Sequence, residues 1–145
     1  MKFRSPLLVL YFALAIQSGL AQNTYVPDDN FEQALIDLGY DDVLDDYVLT
    51  ENISGVTSLN VNNKEISDIT GIEDFTALTD LKCDDNQLTS LDVSANTALT
   101  YLSCNTNQLT SLDVSANTAL TELHFDGNQL TSLDVSSNVA LISLQ

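Results

Sequence analysis

"LKCDDNQLTSLDVSANTALTY" (Leu81–Tyr101), "LSCNTNQLTSLDVSANTALTE" (Leu102–Glu122) and "LHFDGNQLTSLDVSSNVALIS" (Leu123–Ser143) follow one another without a break. A chain that writes nearly the same 21 residues three times builds by stacking, because each copy has too few apolar residues to close a core by itself. Within each copy Leu81 and Cys83, Leu102 and Cys104, or Leu123 and Phe125 alternate with polar residues. That period of two makes a short strand with one face inward. Identical strands from successive copies pair in parallel at about 4.8 Å.

The rest of each copy returns the chain to its start. Asn86, Asn107 and Asn128 stand at the bend after the strand, where an Asn side chain can satisfy turning backbone. Leu88, Leu91 and Val93 then point inward on the return side, and "NTAL" brings Leu99 back to open the next coil. The invariance of "NQLTSLDVS" follows, since every coil must present the same cross-section to its neighbours.

The resulting pattern, L-x-x-L-x-L/C-x-x-N-x-L, runs through Leu78, Leu81, Cys83, Asn86 and Leu88, and again through the next two copies. It resembles the leucine-rich repeat, from about Val56 to the C-terminus. The resemblance implies a β-rich repeat solenoid, a right-handed superhelix with a parallel β-sheet. Leu59 lies 22 residues before Leu81 as a diverged first copy, and "VTSLNVNNKEISDITGIEDFTALTDL" is similar to the repeat of internalin-type proteins. Lys64 takes the place of the bend Asn, which predicts an irregular first turn. Leu144 opens a further coil with no cap after it, from which the sequence is expected to be a fragment of a longer reading frame.

Ahead of the repeats, "TYVPDDNFEQALIDLGYDDVLDDYVLTENISG" has a different grammar. Asp28 or Asp29 can cap a helix, Phe31, Leu35 and Leu38 share a face, and Gly39 ends it. A solenoid needs such an atypical unit to cover its first coil, so residues 22–54 are expected to form a small helical N-terminal cap and 55–145 the repeats. The segment is similar to the cap of secreted bacterial leucine-rich repeat proteins that begin "VPDxNF". Residues 1–21, "MKFRSPLLVLYFALAIQSGLA", carry Lys2 and Arg4, an apolar run and small residues at Gly19 and Ala21, which predicts a cleaved signal peptide and a chain secreted or held on the bacterial outer surface. The apolar run is about half the roughly 20 residues of a spanning helix.

Cleavage leaves Lys64 and Lys82 against 21 Asp and Glu, a formal charge of −19. Nucleic acid and anionic membrane are excluded as partners by that charge, while basic proteins, neutral glycans and divalent cations stay open. No cofactor is called for. Calcium could be held by Asp41, Asp42, Asp45 and Asp46, but the D-x-D-x-D-G spacing and central Gly of a calcium loop are missing, and a solvated acidic cap is the better reading. Asp92, Asp113 and Asp134 form an outward column of like charges about 5 Å apart, expected to cost stability at low salt unless calcium relieves it.

What varies between copies is the outward face of the strands: Asp80, Lys82 and Asp84, then Tyr101, Ser103 and Asn105, then Glu122, His124 and Asp126. In curved solenoids that face is concave and commonly binds a partner, so these nine residues are the candidate ligand-binding face, for a protein or a glycan. His124 is the single histidine. With Glu122 roughly 7 Å away along the strand and no lid, no catalytic site is expected, and Glu122, His124 and Asp126 are too poor in nitrogen and sulfur for a zinc site. Cys83 and Cys104 share one inward slot that Phe125 takes in the next coil, which predicts buried free thiols in a cysteine ladder rather than a disulfide. The expected function is non-enzymatic recognition on a rigid sheet, with two alternatives: spacer repeats of a larger surface protein, or accessory repeats of an enzyme whose catalytic domain lies elsewhere.

Overall fold

The repeats form the strands that their alternation predicts. The computed structural model describes residues 21–145, so the signal-peptide segment, Ala21 apart, lies outside the described residues. Five short strands, β3 (Ser58–Asn60), β4 (Asp80–Lys82), β5 (Tyr101–Ser103), β6 (Glu122–His124) and β7 (Ser143–Leu144), make one parallel sheet in sequence order. Leu59, Leu81, Leu102, Leu123 and Leu144 are successive register partners, and the sheet repeats the 22- and 21-residue spacing of the sequence. Behind it, Leu78, Leu88 and Val93 of one coil and Leu99, Leu109 and Val114 of the next are fully buried in a single continuous core. Each such leucine contributes about 1.5–3 kcal/mol by leaving water.

Two asparagine ladders hold the coils in register. The first is the expected one at the bend. Asn107 donates from Nδ2 to the carbonyls of Cys83, Cys104 and Asn105, and its Oδ1 accepts from the Leu88 amide at 3.0 Å. Asn86 and Asn128 repeat the arrangement. Buried backbone must be paired, and here the side chain of one coil pairs the backbone of the coil before. The second ladder, Asn96, Asn117 and Asn138, is on the return side and was not singled out from the sequence. Nδ2 of Asn117 donates to the carbonyls of Val93 and Asn96 at 2.9 and 3.0 Å, and Asn138 repeats this one coil on. A threonine column completes the set: the hydroxyls of Thr79, Thr100 and Thr121 donate to the carbonyls of Thr57, Thr79 and Thr100.

Each bend needs one left-handed residue, supplied by Asn63, Asp85, Thr106 and Gly127. The first bend is irregular, as Lys64 suggested. Glu65 is left-handed as well, the Lys64 amide joins the regular Ile66 amide in donating to Asn86 Oδ1, and the Lys64 ammonium pairs with Asp37 at 3.0 Å.

The cap contains more than a helix. β1 (Asn23–Tyr25) pairs antiparallel with β2 (Tyr47–Leu49), flanking α1 (Asp29–Asp37) and leading into the single turn α2 (Thr50–Ile53). Asp28, not Asp29, is the N-cap residue: its Oδ1 accepts from the amides of Asn30 and Phe31 at 3.0 Å. Phe31, Ala34 and Leu35 are buried. Leu38 departs from expectation, standing 45% exposed, because it is the C-cap residue where the chain swings out before left-handed Gly39. The second Asp28 oxygen accepts from the amide and hydroxyl of Ser67 and the amide of Asp68 at 2.7–3.0 Å, tying helix to first coil. Burial pushes the Asp28 carboxyl up, but the bonds from Ser67, Phe31 and Asp68 together outweigh it and hold it below its ordinary value. At the same junction Gly71, at φ 104°, lies so close to the cap that a Cβ would meet the Tyr25 carbonyl and Val26 at 3.0 Å.

Candidate functional site: the outer face of the parallel sheet

Strand alternation places Asp80, Lys82, Tyr101, Glu122 and His124 on the outer side of β4 to β6, half-buried against one another. Their contacts run obliquely across three coils. The Lys82 ammonium stands 5.2 Å from the centroid of the Tyr101 ring, and that ring stacks on the His124 imidazole with centroids 5.4 Å apart and planes at 29°. Carboxylates flank both ends: Asp80 is 3.8 Å from the Lys82 ammonium and Glu122 is 3.7 Å from His124 Nε2. A cation over a ring and a stacked ring pair are each worth about 0.5–1.5 kcal/mol, so the cluster is held in place before any ligand arrives. His124 Nε2 is buried and has no hydrogen-bond partner within the protein.

The remaining residues of the expected face divide differently. Ser103 is only 2% exposed, and its hydroxyl donates to Asp84 at 2.6 Å, so it is not a presented side chain. Asp84 also accepts from the Asn105 amide and from Nδ2 of Asn62, and Asn105 Oδ1 accepts from the Asp126 amide at 2.7 Å. Asp84 and Asn105 thus form a further ladder along the ends of the strands, their oxygens engaged in tying coil to coil. Asp126 is exposed beyond them. The column began one coil earlier than the sequence reading placed it, at Asn62, whose Oδ1 accepts from the Asp84 amide. The signal for it was the recurrence of Asn or Asp two residues past each strand.

Among the described residues no three His, Cys, Asp or Glu side chains come together as a metal-binding group, Glu122, His124 and Asp126 included. Cys83 and Cys104 are free, buried thiols, donating to the carbonyls of Ser103 and His124 at 3.4 and 3.5 Å. Burial pushes the Cys83 thiol well above its ordinary value and Cys104 up to about 12, with Asp84 adding to both. The carboxylate column on the opposite side, Asp92, Asp113 and Asp134, does not behave as mutual repulsion alone would have it. The hydroxyl and amide of Ser94 hold the Asp92 carboxyl below its ordinary value despite Asp113 alongside, and Ser115 and Ser136 do the same for the other two.

No protein-family model matches the chain. Internalin J of Listeria monocytogenes serotype 4b (strain F2365) is 45% identical over 74 residues, which is 51% of this chain and 8% of that protein. The solved functional domain of InlJ from Listeria monocytogenes, which includes a cysteine ladder, superposes with a TM-score of 0.78 at 43% identity over 86% of this chain and 28% of that one. The internalin InlF of Listeria monocytogenes strain 4b F2365 gives a TM-score of 0.67 at 25% identity over 83% of this chain and 43% of that one. The chain spans less than half the length of each of these relatives.

Proposed function

We propose that this chain, an internalin-like leucine-rich repeat protein, is a non-enzymatic recognition module that binds a protein or a glycan on the outer face of its parallel sheet. The observation that carries the reading is the Lys82–Tyr101–His124 stack with Asp80 and Glu122 at its ends. It offers a flat aromatic surface, a cation and two carboxylates, already ordered, so a partner would lose little freedom in engaging it. The same five side chains are suited to the ring faces and hydroxyls of a sugar or to a polar protein surface. The formal charge of −19 on the mature chain argues against nucleic acid, and no helix among the described residues is long and apolar enough to cross a membrane. The first 21 residues support placement outside the cell, secreted or at the bacterial outer surface.

The test is to screen the immobilised chain against soluble ectodomains and a glycan array, then to measure any partner found against Tyr101→Ala/His124→Ala. At least a tenfold loss of affinity is expected, with no loss for Ser111→Ala on the return side. Unchanged affinity in the double variant would remove the sheet from the binding surface. A spacer role is favoured by one observation, the internal use of Ser103, Asp84 and Asn105, and it predicts that the screen finds nothing that competes at the sheet.

A further inference from the structure

We propose that the cap carries a second docking surface, on the outer face of the β1–β2 strand pair, for a basic peptide segment that alternates lysine or arginine with apolar side chains. An antiparallel pair with one face on the core ordinarily shows polar residues to water on the other. Here Thr24 and Val48 point inward, and the outward residues are Asn23, Tyr25, Tyr47 and Leu49. The two tyrosine rings lie 5.4 Å apart and remain 49% and 46% exposed. Beside them a cleft of about 450 Å³ opens between the strand pair and the loop after α1, lined by Tyr40, Val43, Tyr47 and Leu49 together with Asp41, Asp42 and Asp45. Exposed apolar side chains are not scattered over the molecule: of nine large ones among the described residues, six belong to this cap.

Charge selects the occupant. Between Gln22 and Ser54 the sequence holds nine Asp and Glu and no Lys or Arg, and the nearest cation along the chain, Lys64, is paired with Asp37. Among the described residues no cation stands within salt-bridge distance of Asp41, Asp42 or Asp45 in the cleft lining, so their charge is left for a partner to meet. A second copy of this chain would bring the same negative charge and is disfavoured for that reason. The surface is also stiff. Glu32, fully buried on α1, accepts from the amides of Asp45, Asp46 and Tyr47 at 3.0–3.1 Å, pinning the loop that forms one wall, so docking orders little that is not already fixed.

The probe is a fluorescein-labelled peptide of alternating Lys and Leu, read by anisotropy on the whole mature chain, with a Lys/Ser peptide and a Gln/Leu peptide as controls. The Lys/Leu peptide is expected to bind at least tenfold more tightly than either control, and binding should weaken as salt is raised. Tyr25→Ser/Tyr47→Ser keeps the net charge and is expected to lose at least tenfold, Asp41→Asn/Asp42→Asn a similar factor, and Tyr101→Ala/His124→Ala on the parallel sheet nothing. Equal binding of the Lys/Ser peptide, or wild-type binding by Tyr25→Ser/Tyr47→Ser, would reduce the effect to bulk charge and overturn the proposal. Sedimentation that shows dimerisation of the wild type lost in Tyr25→Ser/Tyr47→Ser would place a second copy on the strand pair and overturn it as well.

Discussion

Replacing Asp28 by Ala tests whether one carboxylate joins cap to repeats. The side chain accepts five hydrogen bonds, two at the N-terminus of α1 and three from Ser67 and Asp68. Losing the cap costs about 1 kcal/mol. The three junction bonds have an ionised acceptor, worth about 1.5–3 kcal/mol each where water is excluded, but Ser67 and Asp68 are exposed and water can replace the lost partner, so about 0.5–1 kcal/mol each is the appropriate figure. The total is roughly 3 kcal/mol, which moves a urea midpoint by about 1–2 M at the usual slope for a domain of this size. Asp28→Asn keeps one acceptor and should lose about half as much. Three of the four tyrosines in residues 22–145, Tyr25, Tyr40 and Tyr47, lie in the cap, so tyrosine fluorescence of that span reports on the cap while far-ultraviolet circular dichroism reports on the whole. The fluorescence transition should shift first and furthest. Because the carboxyl is held below its ordinary value, its contribution is complete above the unfolded value near 4 and disappears as pH falls through the lower folded one. Wild type and Asp28→Asn should therefore converge in stability below pH 4. A midpoint in Asp28→Ala within 0.3 M of wild type by both probes, a threshold of about 0.5 kcal/mol, would refute this account of the junction.

Asn107→Ala removes a buried side chain that bonds four backbone groups and should cost about 3 kcal/mol by leaving several of them unpaired, measured by thermal unfolding; a loss below 1 kcal/mol on that scale would show that water repairs the bend. Gly71→Ala is expected to destabilise by at least about 1–2 kcal/mol, since a Cβ there meets the Tyr25 carbonyl and Val26 at 3.0 Å, and equal stability would mean that the cap can shift. Alkylation without reductant should modify neither Cys83 nor Cys104 in the native protein at pH 8 and both in denaturant, as their burial and raised thiol values require. Mass spectrometry showing no modified thiol in denaturant would establish a disulfide instead.

The scaffold was legible because its cause is periodic: Leu81, Leu102 and Leu123 recur at a fixed spacing, and only a stacked strand keeps a side chain in one place at that spacing. Bend residues Asn86, Asn107 and Asn128 were legible for the same reason. The second ladder was just as periodic, yet Asn96 and Asn117 sit in a polar stretch, "SANTA", that reads as an exposed turn when no neighbouring coil is considered. Residues whose role depends on contacts distant in sequence were the ones missed. Nothing near Glu32 in the sequence says that its carboxylate lies buried under the Asp45–Tyr47 amides, and the β1–β2 pairing joins segments more than twenty residues apart. On the face, alternation identified which side each residue leaves the strand but not who meets it there. Tyr101 and His124 were singled out correctly as outward neighbours, whereas Ser103, Asp84 and Asn105 proved to face one another more than they face solvent.

The direction of the ladders has a mechanical meaning. The bonds between β3, β4, β5, β6 and β7, like those of the asparagines and threonines, run from coil to coil along the axis of the stack, so under a pull on the two ends every interface bears the same force and they give way one at a time rather than all together. The molecule then lengthens in steps of one coil, 21 residues of released chain or about 70 Å. At the N-terminal end the load passes through the Asp28 clasp, where the period changes, into a strand pair and a helix that stretch by a different rule.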